Sequence, residues 1–220
     1  MQNMPKVLLK STQKKCYFFA ALLVFFFTIV RAQDKIVIAY GNQINLGDVP
    51  GDVQFEVQGP EFIRLKGTKI NQYSFDKPGI YSIKVHDKKH SESDCGRLHL
   101  PDEIKVEVSR IRMIFGSSLT FSSPIVKNVD TQGIVLKVPV QIQTYDHLPA
   151  VLNQKPVASA GIGSNIVAHL KTKATELPEG QHLLEYVLSG LATENAYLMF
   201  DFVDANDQVQ SISVLTPVKN

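Results

Sequence analysis

Four side chains of the kinds that bind zinc lie within fourteen residues, spaced H-x3-H-x4-C-x3-H: His86, His90, Cys95 and His99. Imidazole and thiolate groups favour zinc or copper over calcium, but common zinc modules use paired blocks of ligands with a different spacing. Residues 87–103 are also rich in charged and polar side chains, as in a loop that joins two strands in solvent. The sequence therefore allows either a metal site or a polar hairpin loop. We predict the loop, with no resident metal or cofactor.

A second cluster of oxygen ligands lies in the segment DFVDANDQ and consists of Asp201, Asp204, Asn206 and Asp207. The segment resembles the acidic D-x-N-D stretch with which cadherins bind calcium. Calcium takes about six to eight oxygen ligands, however, and no further ligands can be named from the sequence. Asp and Asn also favour tight turns, because their side chains bond to the local backbone. We therefore predict a hairpin turn between two strands, 197–203 and 209–214.

Sequence motifs of the common enzyme classes are missing from the chain. It has no G-x-S-x-G elbow, no H-E-x-x-H pair and no glycine-rich phosphate loop. Cys95 has histidines near it in the sequence, but the partners of a catalytic cysteine are usually neighbours in space and not along the chain. We predict a protein without catalytic activity. An enzyme whose site has no sequence signature is the alternative.

Most of the chain after residue 32 shows the alternation of apolar and polar residues that is typical of β-strands. Apolar side chains occupy every second position in 53–57, 81–85, 104–108 and 134–142. Successive side chains of a strand point to opposite faces, so a period of two indicates strands with one buried face. Short turn sequences separate these runs at the intervals seen in sandwiches and barrels. The sequence therefore predicts an all-β protein.

Two places depart from this simple pattern. Pro139 interrupts the strongest run, and because proline cannot donate to a strand ladder it predicts an edge strand or a bulge there. Residues 153–170 show no clear period and could form a short helix or a long loop.

The segment from Phe75 to Val85 reads F-x-x-P-G-x-Y-x-I-x-V. It resembles the late core strand of bacterial immunoglobulin-like domains of the PKD-like kind. The resemblance implies a β-sandwich over about residues 36–108, in which the hydroxyl of Tyr81 bonds back to the upstream backbone. We expect the strands 81–85 and 53–57 to face each other across that sandwich. The resemblance implies no particular function, because sandwiches serve many roles.

A second segment, residues 177–188, has a similar order of apolar residue, proline–glycine turn and strand, but His182 stands in place of the tyrosine. We predict two tandem immunoglobulin-like β-sandwich domains, 33–109 and 110–220. The boundary falls between Ser109 and Arg110, with almost no linker.

The first 32 residues have the three zones of a secretory signal peptide. A basic zone precedes an apolar run of fourteen residues, 17–30, and Val30-Arg31-Ala32 resembles a cleavage site before Gln33. A membrane-spanning helix needs about 20 apolar residues, so we predict cleavage, with a retained membrane anchor as the alternative. The remaining residues, 33–220, hold 18 basic and 21 acidic side chains, a net charge of −3. This charge argues against a nucleic-acid partner.

These observations predict an exported, non-catalytic binding or structural module of a bacterial cell envelope or surface, adhesin-like or accessory. The location would be periplasmic, on the cell surface or secreted. The partner would be a protein, bound through addition of an edge strand, or a carbohydrate bound by the loops. The alternatives are a metal-handling protein that uses His86, His90, Cys95 and His99, and an enzyme with an unrecognised site.

Overall fold

A computed structural model describes residues 35–87, 100–171, 176–214 and 218–220. These residues are mostly β-strands with one short 3-10 helix, so the all-β prediction is confirmed. No helix among them has the length and apolar character needed to cross a bilayer. The described residues from Lys35 onward belong to one compact unit.

The first seven strands contain a five-stranded sheet with the order β1-β7-β6-β3-β4. Its first edge strand, β1, runs parallel to β7, and all other neighbours are antiparallel. A short ladder of β2 with β5 and the 3-10 helix Gly67–Gln72 lie outside this sheet. The strands are β1 (Ile36–Ala39), β2 (Asn42–Gln43), β3 (Gln54–Gln58), β4 (Phe62–Lys66), β5 (Ser74–Phe75), β6 (Gly79–His86) and β7 (Glu103–Ser109).

Alternating apolar residues bury one face of this sheet, as the sequence pattern predicted. Phe55, Val57, Tyr81 and Ile83 are almost fully buried. The expected arrangement of their strands was wrong, however, because β3 and β6 are direct neighbours in one sheet, with Val57 paired to Ile83. The opposite side of this core comes instead from loops and short elements, whose buried residues include Ile44, Val49, Ile70 and Phe75.

Tyr81 fixes the turn that leads into β6. Its ring is fully buried against Phe75 at 5.0 Å between ring centroids, and its hydroxyl donates to the carbonyl of Lys77 at 2.9 Å. The expected bond to the upstream backbone is therefore present. Gly79 has a φ of 144°, and a Cβ there would lie 2.6 Å from Cγ of Pro60. In the second, similar segment, His182 Nε2 bonds the carbonyl of Pro178 at 2.8 Å, again four residues upstream.

The remaining strands form a second sheet path with the order β17-β16-β12-β13-β15-β10-β8, on which β9 also pairs with β10. A separate short ladder joins β11 to β14. The strands are β8 (Ile111–Phe115), β9 (Thr120–Phe121), β10 (Val135–Thr144), β11 (Ala150–Val151), β12 (Val157–Ala160), β13 (Val167–Leu170), β14 (Glu176–Leu177), β15 (Gly180–Ser189), β16 (Met199–Val203) and β17 (Val209–Ser213).

Strand β12 divides this path into two layers. Its first two residues pair with β13 and its last two pair with β16. The strands β8, β10, β15 and β13 therefore form one layer, and β12, β16 and β17 form the other. Aromatic rings meet between the layers: Phe202 of β16 stacks on Phe115 of β8 at 5.0 Å and meets Tyr186 of β15 at 5.5 Å. This second core is separate from the first in its buried residues.

Side-chain amides join the outer strands of the two layers, β8 and β17. Gln210 donates from Nε2 to the carbonyl of Met113 at 2.7 Å and accepts from the N–H of Phe115 at 3.1 Å. Asn206 donates to the carbonyl of Ile111 at 2.9 Å. The amide of Gln210 thus supplies a donor and an acceptor in the way that a neighbouring strand would.

The sequence predicted an edge strand or a bulge at Pro139. The residue lies inside the sheet, so the edge strand was wrong, and its pairing with Leu183 continues the register with β15 without a bulge on that side. Its strand, β10, pairs with β15 on one side and with β8 and β9 on the other. The pairing with β8 begins at Val140 and the pairing with β9 ends at Lys137. The proline falls in the gap between those two partners, where its carbonyl accepts from Gly116. Its missing N–H therefore interrupts no ladder.

Candidate functional site

The predicted metal ligands are only partly within the described residues. His86 is the last residue of β6, and its Nε2 lies 3.7 Å from a carboxylate oxygen of Glu56. His90, Cys95 and His99 lie outside the described residues. In the described ranges, no three His, Cys, Asp or Glu side chains converge as a metal site would require. The metal site and the polar loop both stay hypotheses.

The acidic cluster DFVDANDQ forms the predicted hairpin turn between β16 and β17. Asp204 is buried, and one of its carboxylate oxygens accepts the N–H groups of Asn206 and Gln208 at 2.7 and 3.0 Å. Asp207 has a left-handed backbone with a φ of 59° and pairs with Lys155 at 2.8 Å, a hydrogen bond that lowers its pKa. Asp201 accepts a hydrogen bond from Ser211. Each of these three carboxylates thus accepts a hydrogen bond or forms an ion pair within the turn or with a neighbouring segment.

An open groove with a volume of about 630 Å³ lies over β3, β4 and the end of β6. The pairing of β3 with β4 places Glu56 opposite Arg64 and Gln54 opposite Lys66. These side chains lie on the solvent face, since their neighbours Phe55 and Val57 are buried. Polar and charged side chains therefore line most of the groove: Gln54, Glu56, Arg64, Lys66, Lys69 and His86.

Positive charge dominates this groove, which we call the cationic face. Arg64, Lys66 and Lys69 are exposed and form no ion pair with any described residue. Glu56 is the one acidic side chain among the lining residues. A hydrogen bond from Gln58 lowers the pKa of Glu56, burial opposes this shift, and the nearby Arg64, Lys84 and His86 lower the pKa further. The carboxylate is thus ionised at neutral pH, and an excess of cations surrounds it.

The cationic face ends at an edge of the sheet. β4 is the last strand of the order, and Phe62 at its start is 59% exposed. The guanidinium carbon of Arg64 lies 5.4 Å from the centroid of the Phe62 ring, a favourable cation–π distance. This contact holds Arg64 along the edge strand.

A second cleft, of about 380 Å³, lies beside β9 and has mostly apolar walls. Leu119, Phe121 and Ile125 form one side, and Leu198 and Val214 form the other. The cleft offers apolar contacts and hydroxyl groups but brings no acid and base together.

The sequence did not single out the cationic face. Arg64 and Lys66 are ordinary polar positions of an alternating strand, FIRLK. Lys69 follows in the short 3-10 helix after β4, and His86 joins them only through folding, because β6 is paired beside β3. The one local signal was a pair of cations at alternate positions of a short strand.

No family model matches the chain, and no curated protein matches it. The class that the fold and this site define is an all-β protein with a cationic sheet face. The assignment of function therefore depends on the geometry of that face and on the sequence.

Proposed function

We propose that this protein is an exported, non-catalytic binding module of the cell envelope, built from two immunoglobulin-like sandwiches. The cationic face of the first sandwich is its binding surface. The proposal has three parts: the immunoglobulin-like fold, export from the cytoplasm, and binding through the cationic face. Each part has its own support.

The strand order supports the two sandwiches. In the second part, β8-β10-β15-β13 opposite β12-β16-β17 matches the order of A-B-E-D opposite C-F-G in constant-type immunoglobulin domains. In the first part, the buried Tyr81 bonds back to Lys77 at the start of a late strand, as a tyrosine corner does. The proposed boundary, between Ser109 and Arg110, lies between the last residue of β7 and the start of β8.

Export is supported by the first 32 residues, with their basic zone, apolar run and site before Gln33. Without them the chain has a net charge of −3. A local excess of cations in a chain that is negative overall would attract an anionic group to that groove.

The observation that carries the binding function is the set of cations on the cationic face that form no ion pair within the described part of the chain. Arg64, Lys66 and Lys69 line one groove, and no described acid neutralises them by an ion pair. Charges that stay unpaired on one face attract ligands of opposite charge and direct their approach. Arg64 and Lys66 belong to β4, and the pairing of β4 with β3 fixes their backbone positions. A fixed backbone suits recognition of a partner.

Cell fractionation and site-specific crosslinking test the proposal. The full chain is expressed in its host with a photoreactive residue in place of Lys69. The matched control carries it in place of Lys155, an exposed position in the loop between β11 and β12. We expect an exported chain that begins at Gln33 by mass spectrometry, with a discrete crosslinked product from position 69 alone.

A mature chain that still contains residues 1–16 would contradict cleavage and favour the anchor. Identical product patterns from positions 69 and 155 would refute the cationic face as the binding surface.

A further inference from the structure

We propose that β4 pairs with an extended peptide segment in which acidic and apolar residues alternate, so that the partner adds a strand to the five-stranded sheet. This inference rests on the proposed binding function. It specifies the chemistry of the partner and the way in which the partner binds.

The backbone of β4 has an open edge within the described residues. β4 pairs with β3 along its five residues, and no described strand lies on its other side. In an antiparallel ladder, alternate residues turn their N–H and C=O groups away from the neighbouring strand. Lys66 is the N-cap of the following 3-10 helix, whose first turn takes its carbonyl. No backbone hydrogen bond of the described turns and loops involves residues 62–65. The outward groups of those residues are the donors and acceptors that strand addition uses.

The solvent face of β4 selects acidic side chains. Phe62, Arg64 and Lys66 share that face, because their partners on β3 alternate with buried residues. An added strand would place one side chain beside each of them, at about 5 Å between Cβ atoms. Opposite charges stabilise such pairs and like charges destabilise them. Carboxylates therefore suit the positions beside Arg64 and Lys66.

The other face of β4 selects apolar side chains. Ile63 and Leu65 pack against the first core, yet they are only half-buried because they lie at the edge of the sheet. Apolar residues of an added strand would cover their exposed parts and extend the core. The two faces together specify alternation of acidic and apolar residues.

A second copy of the chain is a poor occupant of this edge. Antiparallel pairing of β4 with itself, centred on Arg64, would place the two Arg64 side chains directly opposite each other. Like charges in that position are destabilising, and charged residues on edge strands prevent self-association. The charge of β4 therefore excludes the chain's own copy and admits an acidic partner.

The test uses the exported protein purified from its host and an acetylated, amidated peptide of three Glu-Val repeats. Fluorescence anisotropy measures binding, and hydrogen exchange measures protection of the backbone amides of β4. We expect this peptide to bind about tenfold tighter than the corresponding Lys-Val peptide. We also expect it to slow exchange at β4.

Charge reversal on the protein tests the specificity. Arg64→Glu combined with Lys66→Glu should weaken binding of the Glu-Val peptide by about tenfold or more and transfer the preference to the Lys-Val peptide. The matched control is Lys105→Glu, on the same face of β7 but three strands from β4, or about 14 Å. It should change binding by less than about twofold, because salt screens exposed charges at that distance.

A Glu-Val peptide that is N-methylated at every residue keeps the charges but loses its backbone donors, and we expect it to lose binding. Equal binding of the methylated peptide, or unchanged exchange at β4, would overturn strand addition. Binding of polygalacturonate without binding of the Glu-Val peptide would assign the face to an anionic glycan and would overturn it as well. In those cases a specific crosslink from position 69 would still support the proposed function, so the two failures are distinguishable.

Discussion

Replacing Tyr81 by phenylalanine removes one buried hydrogen bond and leaves the ring in place. The hydroxyl donates to the carbonyl of Lys77 at 2.9 Å, and the ring stays packed against Phe75. A hydrogen bond of this kind contributes about 1 kcal/mol net, and the exposed Lys77 leaves its carbonyl access to water. We therefore expect Tyr81→Phe to lower the free energy of unfolding by about 1 kcal/mol. Tyr81→Ala also removes the ring and should cost about 3–5 kcal/mol.

The shift in melting temperature tests the proposed division into two domains. A loss of about 1 kcal/mol lowers the Tm by about 4–8 °C in a unit of 60–100 residues, but by about 2–4 °C in one of 150–250 residues. Residues 33–109 fall in the first class, and residues 33–220 fall in the second. The larger shift, in one of two transitions, would support an independent first domain.

The matched control is Tyr186→Phe in the second core. Tyr186 is also buried, at 4% exposure, but its hydroxyl forms no hydrogen bond with another described residue. We expect this variant to change the free energy of unfolding by less than about 0.5 kcal/mol. Thermal and urea unfolding followed by circular dichroism measure both variants. Equal stability of Tyr81→Phe and the wild type would refute the assignment of a stabilising corner.

Three further predictions concern buried polar groups. Thr144→Val should raise the free energy of unfolding by about 1 kcal/mol in urea titrations, because the hydroxyl of Thr144 is buried without a hydrogen-bond partner in the described structure; a lower midpoint would contradict this. Gln210→Ala should lower it by about 2 kcal/mol, because two hydrogen bonds to β8 are lost; an unchanged midpoint would show that β8 and β17 do not depend on that amide. Burial raises the pKa of Tyr81 and Tyr186 from 10.0 to about 12. Their neutral forms therefore stabilise the fold fully below pH 10, and this contribution is lost as the pH rises toward 12. The double variant to phenylalanine should show a smaller decline in urea-unfolding free energy over that range.

Local pattern was sufficient to predict where several of the longer strands lie. The alternation in 53–57, 81–85 and 134–142 reflects a buried face, and a buried face requires apolar side chains at every second position. The bond of the Tyr81 hydroxyl to the upstream backbone was expected from the resemblance of residues 75–85 to immunoglobulin-like domains, and the structure shows that the acceptor is the carbonyl of Lys77. Residues 153–170 carried no such pattern, and yet they form β12 and β13. β12 is only four residues long and pairs with two different strands. The burial of its side chains therefore alternates only weakly along the strand.

Strand neighbours could not be predicted in the same way. β3 and β6 have matching patterns, but alternation alone does not distinguish two strands of one sheet from two strands that face each other. Pro139 shows a similar limit. Its lack of an N–H group breaks no ladder, because it lies in the gap between the residues that pair with β9 and those that pair with β8. This gap exists only after both β8 and β9 have paired with β10.

The cationic face illustrates how overall composition can conceal a local excess of positive charge. Residues 33–220 are net negative, yet strand pairing places Arg64, Lys66 and His86 around the single carboxylate of Glu56. Arg64 and Lys66 also lie on the open edge strand, where a partner's backbone can reach them without crossing Glu56. The arrangement therefore favours a partner that approaches from the edge and carries carboxylates at alternate positions.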